Sequence, residues 1–92
     1  MRPPRQLDGA DVLHLAVSHP KPFFVMEYAT ESSPGSAVHG LAVCQYATGQ
    51  VYRFSCDESW EVQNDFDFPS VEAALGVQSG QYDTAKLGWQ RW

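Results

Sequence analysis

Two short apolar segments on either side of a glycine turn form the clearest pattern in the chain, in the stretch LAVCQYATGQVYRFSCDESWE at residues 41–61. Both segments contain β-branched and aromatic residues, which are typical of β-strands. Thr48 and Gly49 lie between them, and glycine readily adopts the positive φ angles of tight turns. The pattern therefore predicts a β-hairpin that continues into an acidic turn after Cys56.

The length of the hairpin loop decides which side chains share a face, because successive side chains of a strand point to opposite faces. With a loop of two or four residues, Val43 lies opposite Phe54. Five side chains then share the face that we assign to the core: Leu41, Val43, Tyr52, Phe54 and Cys56. Cys44 and Arg53 fall on the other face, and a three-residue loop would reverse this parity.

Three further segments favour strands because they are rich in aromatic residues or alternate in polarity. They are residues 23–30, a short strand at 60–63 and a last strand at 85–92, whereas residues 64–68 are predicted to form a loop. In the first segment the more apolar set is assigned to the core: Phe24, Met26, Tyr28 and Thr30.

Residues 8–19 are compatible with either a helix or a strand. As a helix, the segment begins at a capping Asp8, ends before Pro20 and collects Val12, Leu15, Ala16 and His19 on one side. As a strand it has no clean polar face, so we favour the helix. A second short helix is predicted at VEAAL, with Ser70 as its N-cap and Gly76 or Gly80 at its end.

These elements predict an α+β fold class: a small antiparallel sheet of about four to five strands with one or two short helices packed on one face. With 92 residues, we expect a single globular domain at residues 7–92. Residues 1–6 contain Pro3 and Pro4 and no periodicity, so they are predicted to be a flexible arm.

The net charge of −5 argues against binding to nucleic acid or to an anionic membrane, because both require clustered lysine and arginine. No segment resembles a signal peptide, and no apolar run approaches the roughly 20 residues of a membrane span. The chain has only two cysteines, so a reducing cytoplasm is the expected location.

Two cysteines could in principle form a disulfide, bind a metal ion or supply a nucleophile. Cys44 and Cys56 lack Cys-x-x-Cys or paired-histidine spacing, and the predicted register puts them on opposite faces of the sheet. Asp57 and Glu58 follow Cys56 directly and would raise its pKa. We therefore expect packed structural thiols, with no catalytic residue, metal or other cofactor.

Acidic residues are concentrated after the hairpin, where five carboxylates occur at Asp57, Glu58, Glu61, Asp65 and Asp67. Their spacing does not fit an EF-hand, because the glycine and the final glutamate of that loop are absent. One interpretation is a contact surface for a basic partner, with Trp60 and either Phe66 or Phe68 as aromatic anchors and with the last residue, Trp92, as a further candidate contact. The alternative is a solvated turn with Trp60 in the core.

The second half of the chain, VYRFSCDESWEVQNDFDFPSVEAAL followed by YDTAKLGWQRW, resembles a loose group of small bacterial proteins of unassigned function. The shared features are a Tyr-x-Phe-x-Cys-Asp strand end, a tryptophan, an acidic loop and a Ser-x-Glu-x-Ala helix. This resemblance implies a fold and assigns no activity or functional residue.

The leading hypothesis is a non-enzymatic interaction module, of inhibitor or immunity type, that presents its acidic residues to a basic protein. A second hypothesis is a small-ligand or enzymatic module that uses a sheet pocket lined by Tyr28, Cys44, Tyr46 and Arg53. A third is a homodimer formed through an exposed sheet edge or through the mixed face of the hairpin.

Overall fold

Antiparallel strands make up most of the structure, a computed structural model that describes residues 2–26, 36–78 and 82–92. The described structure is 46% strand and 11% helix. The strands are β1 (Gln6–Leu7), β2 (Ala10–Val17), β3 (Phe24–Met26), β4 (Ser36–Val38), β5 (Gly40–Gln45), β6 (Val51–Cys56), β7 (Val62–Phe68) and β8 (Gln90–Arg91). One α-helix, α1 (Val71–Gly76), and one 3₁₀ turn, Thr84–Lys86, complete the described elements.

The predicted α+β fold class is wrong, because the protein is a small all-β fold with little helical packing. Its main sheet is curled and antiparallel, in the order β1-β2-β5-β6-β7, and β8 pairs with β2 on the side of β1. β3 and β4 form a separate two-stranded sheet. Only α1 corresponds to a predicted helix.

The segment predicted as the first helix, residues 8–19, contains the whole of strand β2 instead. A β-bulge between Val12 and His14 shifts the register against β5. Val12 and Leu15 therefore share a face although three positions separate them, opposite Cys44 and Ala42. Since both faces of β2 are also partly buried, the polarity of its sequence neither alternates nor leaves a polar side.

The register predicted for the central hairpin is also wrong. The N–H of Tyr46 donates to the Gln50 carbonyl at 2.9 Å, and the Gly49 N–H donates to the Tyr46 carbonyl at 2.8 Å. Three residues therefore form the loop, with Gly49 at φ 96°. Val43 lies opposite Arg53 rather than opposite Phe54, so Leu41 and Val43 do not share a face with Tyr52, Phe54 and Cys56.

The corrected register puts both cysteines on one face of the sheet. This face contributes the first core cluster, whose buried members are Leu7, Ala10, Val12, Leu15, Ala42, Cys44, Phe54, Cys56 and Trp60. Two further clusters contain Leu41 and Val43 from the opposite face: one with Ala16 and Val38, the other with Val51 and Ala74 of α1. The β5–β6 pair is thus buried on both sides.

Helix α1 begins and ends as predicted. The Ser70 side chain accepts a hydrogen bond from the Ala73 N–H at 3.1 Å, and the helix ends at Gly76. Arg53 binds the carboxyl end of the helix, because its Nη1 donates hydrogen bonds to the carbonyls of Ala74 at 2.8 Å and Val77 at 3.0 Å. A cation at the carboxyl end of a helix is favourable, since unpaired carbonyls collect there.

The remaining strand predictions succeed only in part. Residues 64–68, predicted as a loop, belong to β7, and the strand predicted at 85–92 is reduced to β8. In the segment 23–30 the strand is Phe24–Met26, and Phe24 packs on the cluster of Ala16, Val38 and Leu41. The predicted core residues Tyr28 and Thr30 lie outside the described residues.

The loop between β6 and β7 repeats the geometry of the loop between β5 and β6. Asp57 N–H donates to the Glu61 carbonyl, and Trp60 N–H donates to the Asp57 carbonyl, both at 3.0 Å. Trp60 therefore occupies the position that Gly49 has in the first loop, with φ 64°. This left-handed conformation costs a non-glycine residue about 1–2 kcal/mol, which burial of the indole ring offsets.

The ring of Trp60 lies directly on the backbone of Gly40. A Cβ atom at residue 40 would come within 2.6 Å of Cζ3 of that ring. Trp60 is only 6% exposed, so the ring has little room to move away. The contact requires glycine at this position because any side chain would occupy the space of the indole.

Replacing Gly40 with alanine should lower the free energy of unfolding by about 2–3 kcal/mol, as expected for an overpacked core. Gly76→Ala is the matched control, because nothing lies within 4 Å of the new methyl group. We expect the control to leave stability unchanged or to raise it by about 0.5–1 kcal/mol. Urea denaturation of both variants measures the difference, and equal stability of the two would refute the contact.

Candidate partner-binding surface

The predicted acidic residues have two different roles in the structure. Asp57 organises the β6–β7 loop: its Oδ1 accepts hydrogen bonds from the Ser59 N–H at 2.8 Å and the Glu61 N–H at 2.9 Å. Its carboxylate is therefore already used inside the chain. The other four are exposed, and we call them the acidic hairpin surface: Glu58, Glu61, Asp65 and Asp67.

Asp65 and Asp67 lie on β7, at the edge of the main sheet. They pair with Phe54 and Tyr52, so their side chains project on the same face as these two rings. Within the described part of the chain, neither carboxylate forms an ion pair. Their charges are therefore available to an external cation.

A row of aromatic rings adjoins these carboxylates. The rings of Tyr52 and Phe54 are nearly parallel with centroids 5.8 Å apart, and Tyr46 meets Tyr52 edge-on at 5.6 Å. The Tyr46 hydroxyl donates to Asp8 Oδ2 at 3.1 Å, and both desolvation and this bond raise the pKa of Tyr46. The row was not predicted from the sequence, because a loop of two or four residues puts Tyr46 and Tyr52 on different faces.

The two candidate phenylalanine anchors lie on the other face of β7. Phe66 pairs with Arg53 and is 50% exposed. Phe68 is half-buried, and the guanidinium carbon of Arg53 lies 4.6 Å from its ring centroid. Phe66 is thus the more exposed of the two phenylalanines, while Phe68 packs against the buried arginine.

Of the two candidate tryptophans, Trp60 is buried and Trp92 is separated from the carboxylates of β7 by two strands. Trp60 lies in the core, as the alternative interpretation expected. Trp92 is half-buried: its Nε1 donates to the Pro3 carbonyl at 3.0 Å, and the Arg2 guanidinium carbon lies 4.3 Å from its ring centroid. Trp92 lies beside β2, and β5 and β6 separate that strand from β7.

The contacts of Trp92 also concern the N-terminal arm. Pro3 is buried, and the Arg5 carbonyl accepts a hydrogen bond from the Val12 N–H at 2.9 Å. Gln6, the last residue of the predicted arm, belongs to β1. That residues 1–6 are flexible in solution stays a prediction. Movement of this arm would break the hydrogen bonds of the Pro3 and Arg5 carbonyls.

The pocket considered in the second hypothesis is not assembled. Cys44 is fully buried on the face of Phe54, whereas Arg53 points to the opposite face toward α1. Tyr46 lies with the aromatic row, and Tyr28 is outside the described residues. One sheet layer therefore separates the thiol from the guanidinium.

An open pocket of about 550 Å³ lies near the β6–β7 loop, lined by Val17, His19, Glu58 and Ser59. His19 Nε2 is 3.8 Å from a Glu58 carboxylate oxygen, and the His19 and His39 ring centroids are 5.5 Å apart. The Nδ1 of His39 lies 2.9 Å from the Ser18 carbonyl, which fixes it as a donor. Glu58 is thus the one member of the acidic hairpin surface that forms an ion pair among the described residues.

The described residues contain no group of three or more histidine, cysteine, aspartate or glutamate side chains arranged to hold a metal ion. No helix in the described ranges has the length and apolar character needed to span a bilayer. Comparisons with protein-family models, curated proteins and solved structures found no match.

Both thiols are free and fully buried. Desolvation, with a smaller contribution from Asp11, raises the pKa of Cys44 from 9.0 to about 12. The pKa of Cys56 is also raised to about 12. Desolvation is the main cause, with smaller contributions from the neighbouring Cys44 and from Asp57. The packed structural thiols expected from the sequence are present, although they share a face and were predicted not to.

These raised pKa values predict a loss of stability in alkali. Below pH 9 the thiols are protonated in both the folded and the unfolded protein. Above pH 9 the thiols of the unfolded chain ionise, while those of the folded protein stay neutral up to about pH 12. The free energy of unfolding should therefore fall by about 1.4 kcal/mol per pH unit for each thiol as the pH rises above 9. Urea denaturation between pH 8 and 10.5 measures this slope.

Cys44→Ala and Cys56→Ala serve as controls, since each removes one titrating group and should reduce the slope by that amount. Their lower stability at pH 8 does not affect the comparison of slopes. An unchanged slope, or rapid reaction of the native protein with a thiol reagent at pH 8, would contradict burial of the two thiols.

Proposed function

We propose that the protein is a non-enzymatic interaction module, of inhibitor or immunity type, that binds a basic protein through the acidic hairpin surface. The main support is the position of Asp65 and Asp67: both are exposed on a sheet edge, and neither has an ion-pair partner within residues 2–26, 36–78 and 82–92. Opposite charges steer association and fix the orientation of partners.

The aromatic row beside these carboxylates also favours a cationic ligand. Tyr46 and Tyr52 are half-buried and keep part of their surface accessible. The faces of aromatic rings attract lysine and arginine, and carboxylates pair with the same groups. Carboxylates and rings on one face of the sheet would therefore act on the same basic side chains.

Two earlier elements of the hypothesis are refined. We leave out Asp57 and Trp60, because the first carboxylate is bonded within its loop and the second side chain is buried. Phe66 takes the role of exposed anchor. The proposal includes a cytoplasmic location, which suits two free buried thiols.

The test is a titration of the protein with a ten-residue polylysine peptide, in which NMR records the amide chemical shifts of the protein at each step. The proposal expects the largest shifts in β7 and the β6–β7 loop. The double variant Asp65→Asn/Asp67→Asn should weaken binding about 10-fold, because each exposed pair contributes up to about 1 kcal/mol. Added salt should weaken the wild-type complex further.

The matched control is Asp11→Asn/Glu72→Gln, which removes the same charge from exposed positions outside β7. It should retain most of the affinity. Equal weakening by the two double variants would mean that the peptide senses net charge alone, and the proposed surface would then be wrong.

A further inference from the structure

The outer edge of β7 is the long open edge of the described sheet. At the opposite side, β2 is covered by β1 and β8, each of two residues. β7 has seven residues, and β6 is its single strand neighbour among the described elements. Such an edge presents unpaired N–H and C=O groups, which can pair with a strand from another molecule.

Along an antiparallel strand, the backbone N–H and C=O groups of successive residues point alternately to the two neighbouring strands. This alternation shows which backbone groups of β7 point away from β6. The closing pair of the first hairpin, Tyr46 and Gln50, bonds directly, so Tyr52 and Phe54 use their backbone groups toward β5. The alternate residues Arg53 and Ser55 then bond to their β7 partners, Phe66 and Asn64.

It follows that the N–H groups of Asp65 and Asp67 point away from β6. The hydrogen bond of the Asp65 N–H agrees with this orientation, because its acceptor is the Asn64 side-chain oxygen, at 2.9 Å, and not a carbonyl of β6. That bond is local and exposed, so an incoming carbonyl can replace it.

A second copy of this chain does not fit the edge. In antiparallel pairing about a two-fold axis at Phe66, Asp65 of each copy faces Asp67 of the other. An axis one residue to either side brings Asp65 or Asp67 opposite itself. Like charges directly opposite each other are destabilising in a sheet, so this edge disfavours the homodimer considered from the sequence.

We propose that the edge of β7 binds an extended segment of the basic partner as an additional strand, with lysine or arginine at alternate positions and an apolar residue between them. The basic side chains would lie on the face of Asp65 and Asp67, and the apolar one beside Phe66, which is 50% exposed on the other face. This inference rests on the proposed function and adds the geometry of recognition.

The test compares two seven-residue peptides of identical composition. One alternates lysine with valine and threonine; the other has the same residues with its lysines contiguous. We expect the alternating peptide to bind at least 10-fold more tightly and to slow hydrogen exchange of the Asp65 and Asp67 amides. N-methylation of its residues facing β7 should abolish this advantage.

A charge-matched pair of variants tests the backbone bond from the side of the protein. Asp67→Asn and Asp67→Pro remove the same charge, but proline also removes the outward N–H, a change that edge strands tolerate. Only the proline variant should lose the preference for the alternating peptide. Thermal unfolding of both variants checks that they are folded, and the N-methylated peptide gives an independent result if the proline variant is not.

Each outcome has a distinct meaning. Equal binding of the two peptides, with retained sensitivity to Asp65→Asn/Asp67→Asn, would overturn strand addition and leave the acidic contact surface intact. Binding of neither peptide, together with no effect of the charge variants on polylysine, would overturn both proposals. The carboxylates would then serve only to protect an exposed edge from association.

Discussion

Burial of the β5–β6 pair on both faces is the constraint on which the rest of the structure depends. All but two of the twelve residues in these strands are buried, and the exceptions, Gln45 and Tyr52, are partly buried. Such a pair is stable only if each side is covered. The curled sheet with Trp60 covers one side, and α1 and the β3–β4 hairpin with neighbouring aromatic residues cover the other.

Arg53 shows how a polar group is accommodated inside this arrangement. It is only 4% exposed, yet its guanidinium has hydrogen bonds to the last carbonyls of α1 and a ring contact with Phe68. A buried charge is costly unless such partners compensate it. Because Phe68 belongs to β7, this one side chain connects the helix to the strand that presents the acidic edge.

The parts of the fold that could be predicted from the sequence are those set by local chemistry. The Ser70 cap, the end of α1 at Gly76 and the existence of the central hairpin follow from residues close in the chain. β2 could not be recognised, because its bulge and two buried faces remove the alternation by which strands are identified. The register depended on loop length, and the sequence Ala47-Thr48-Gly49 is compatible with more than one. The acidic residues were visible in the sequence, but their separation into the bonded Asp57 and the exposed Asp65 and Asp67 required the turn geometry.

The three-residue loop at Ala47–Gly49 has a consequence for how this chain can change during evolution. A substitution at Ala47 or Thr48 alters one exposed side chain, whereas Gly49 has a positive φ angle that other residues rarely adopt. A deletion of one residue would exchange the surroundings of Arg53 and Phe54, moving a guanidinium into the cluster around the two thiols and a phenyl ring under the helix. Selection should therefore preserve the length of this loop, and natural variants of this chain should differ at its first two positions by substitution and not by insertion or deletion.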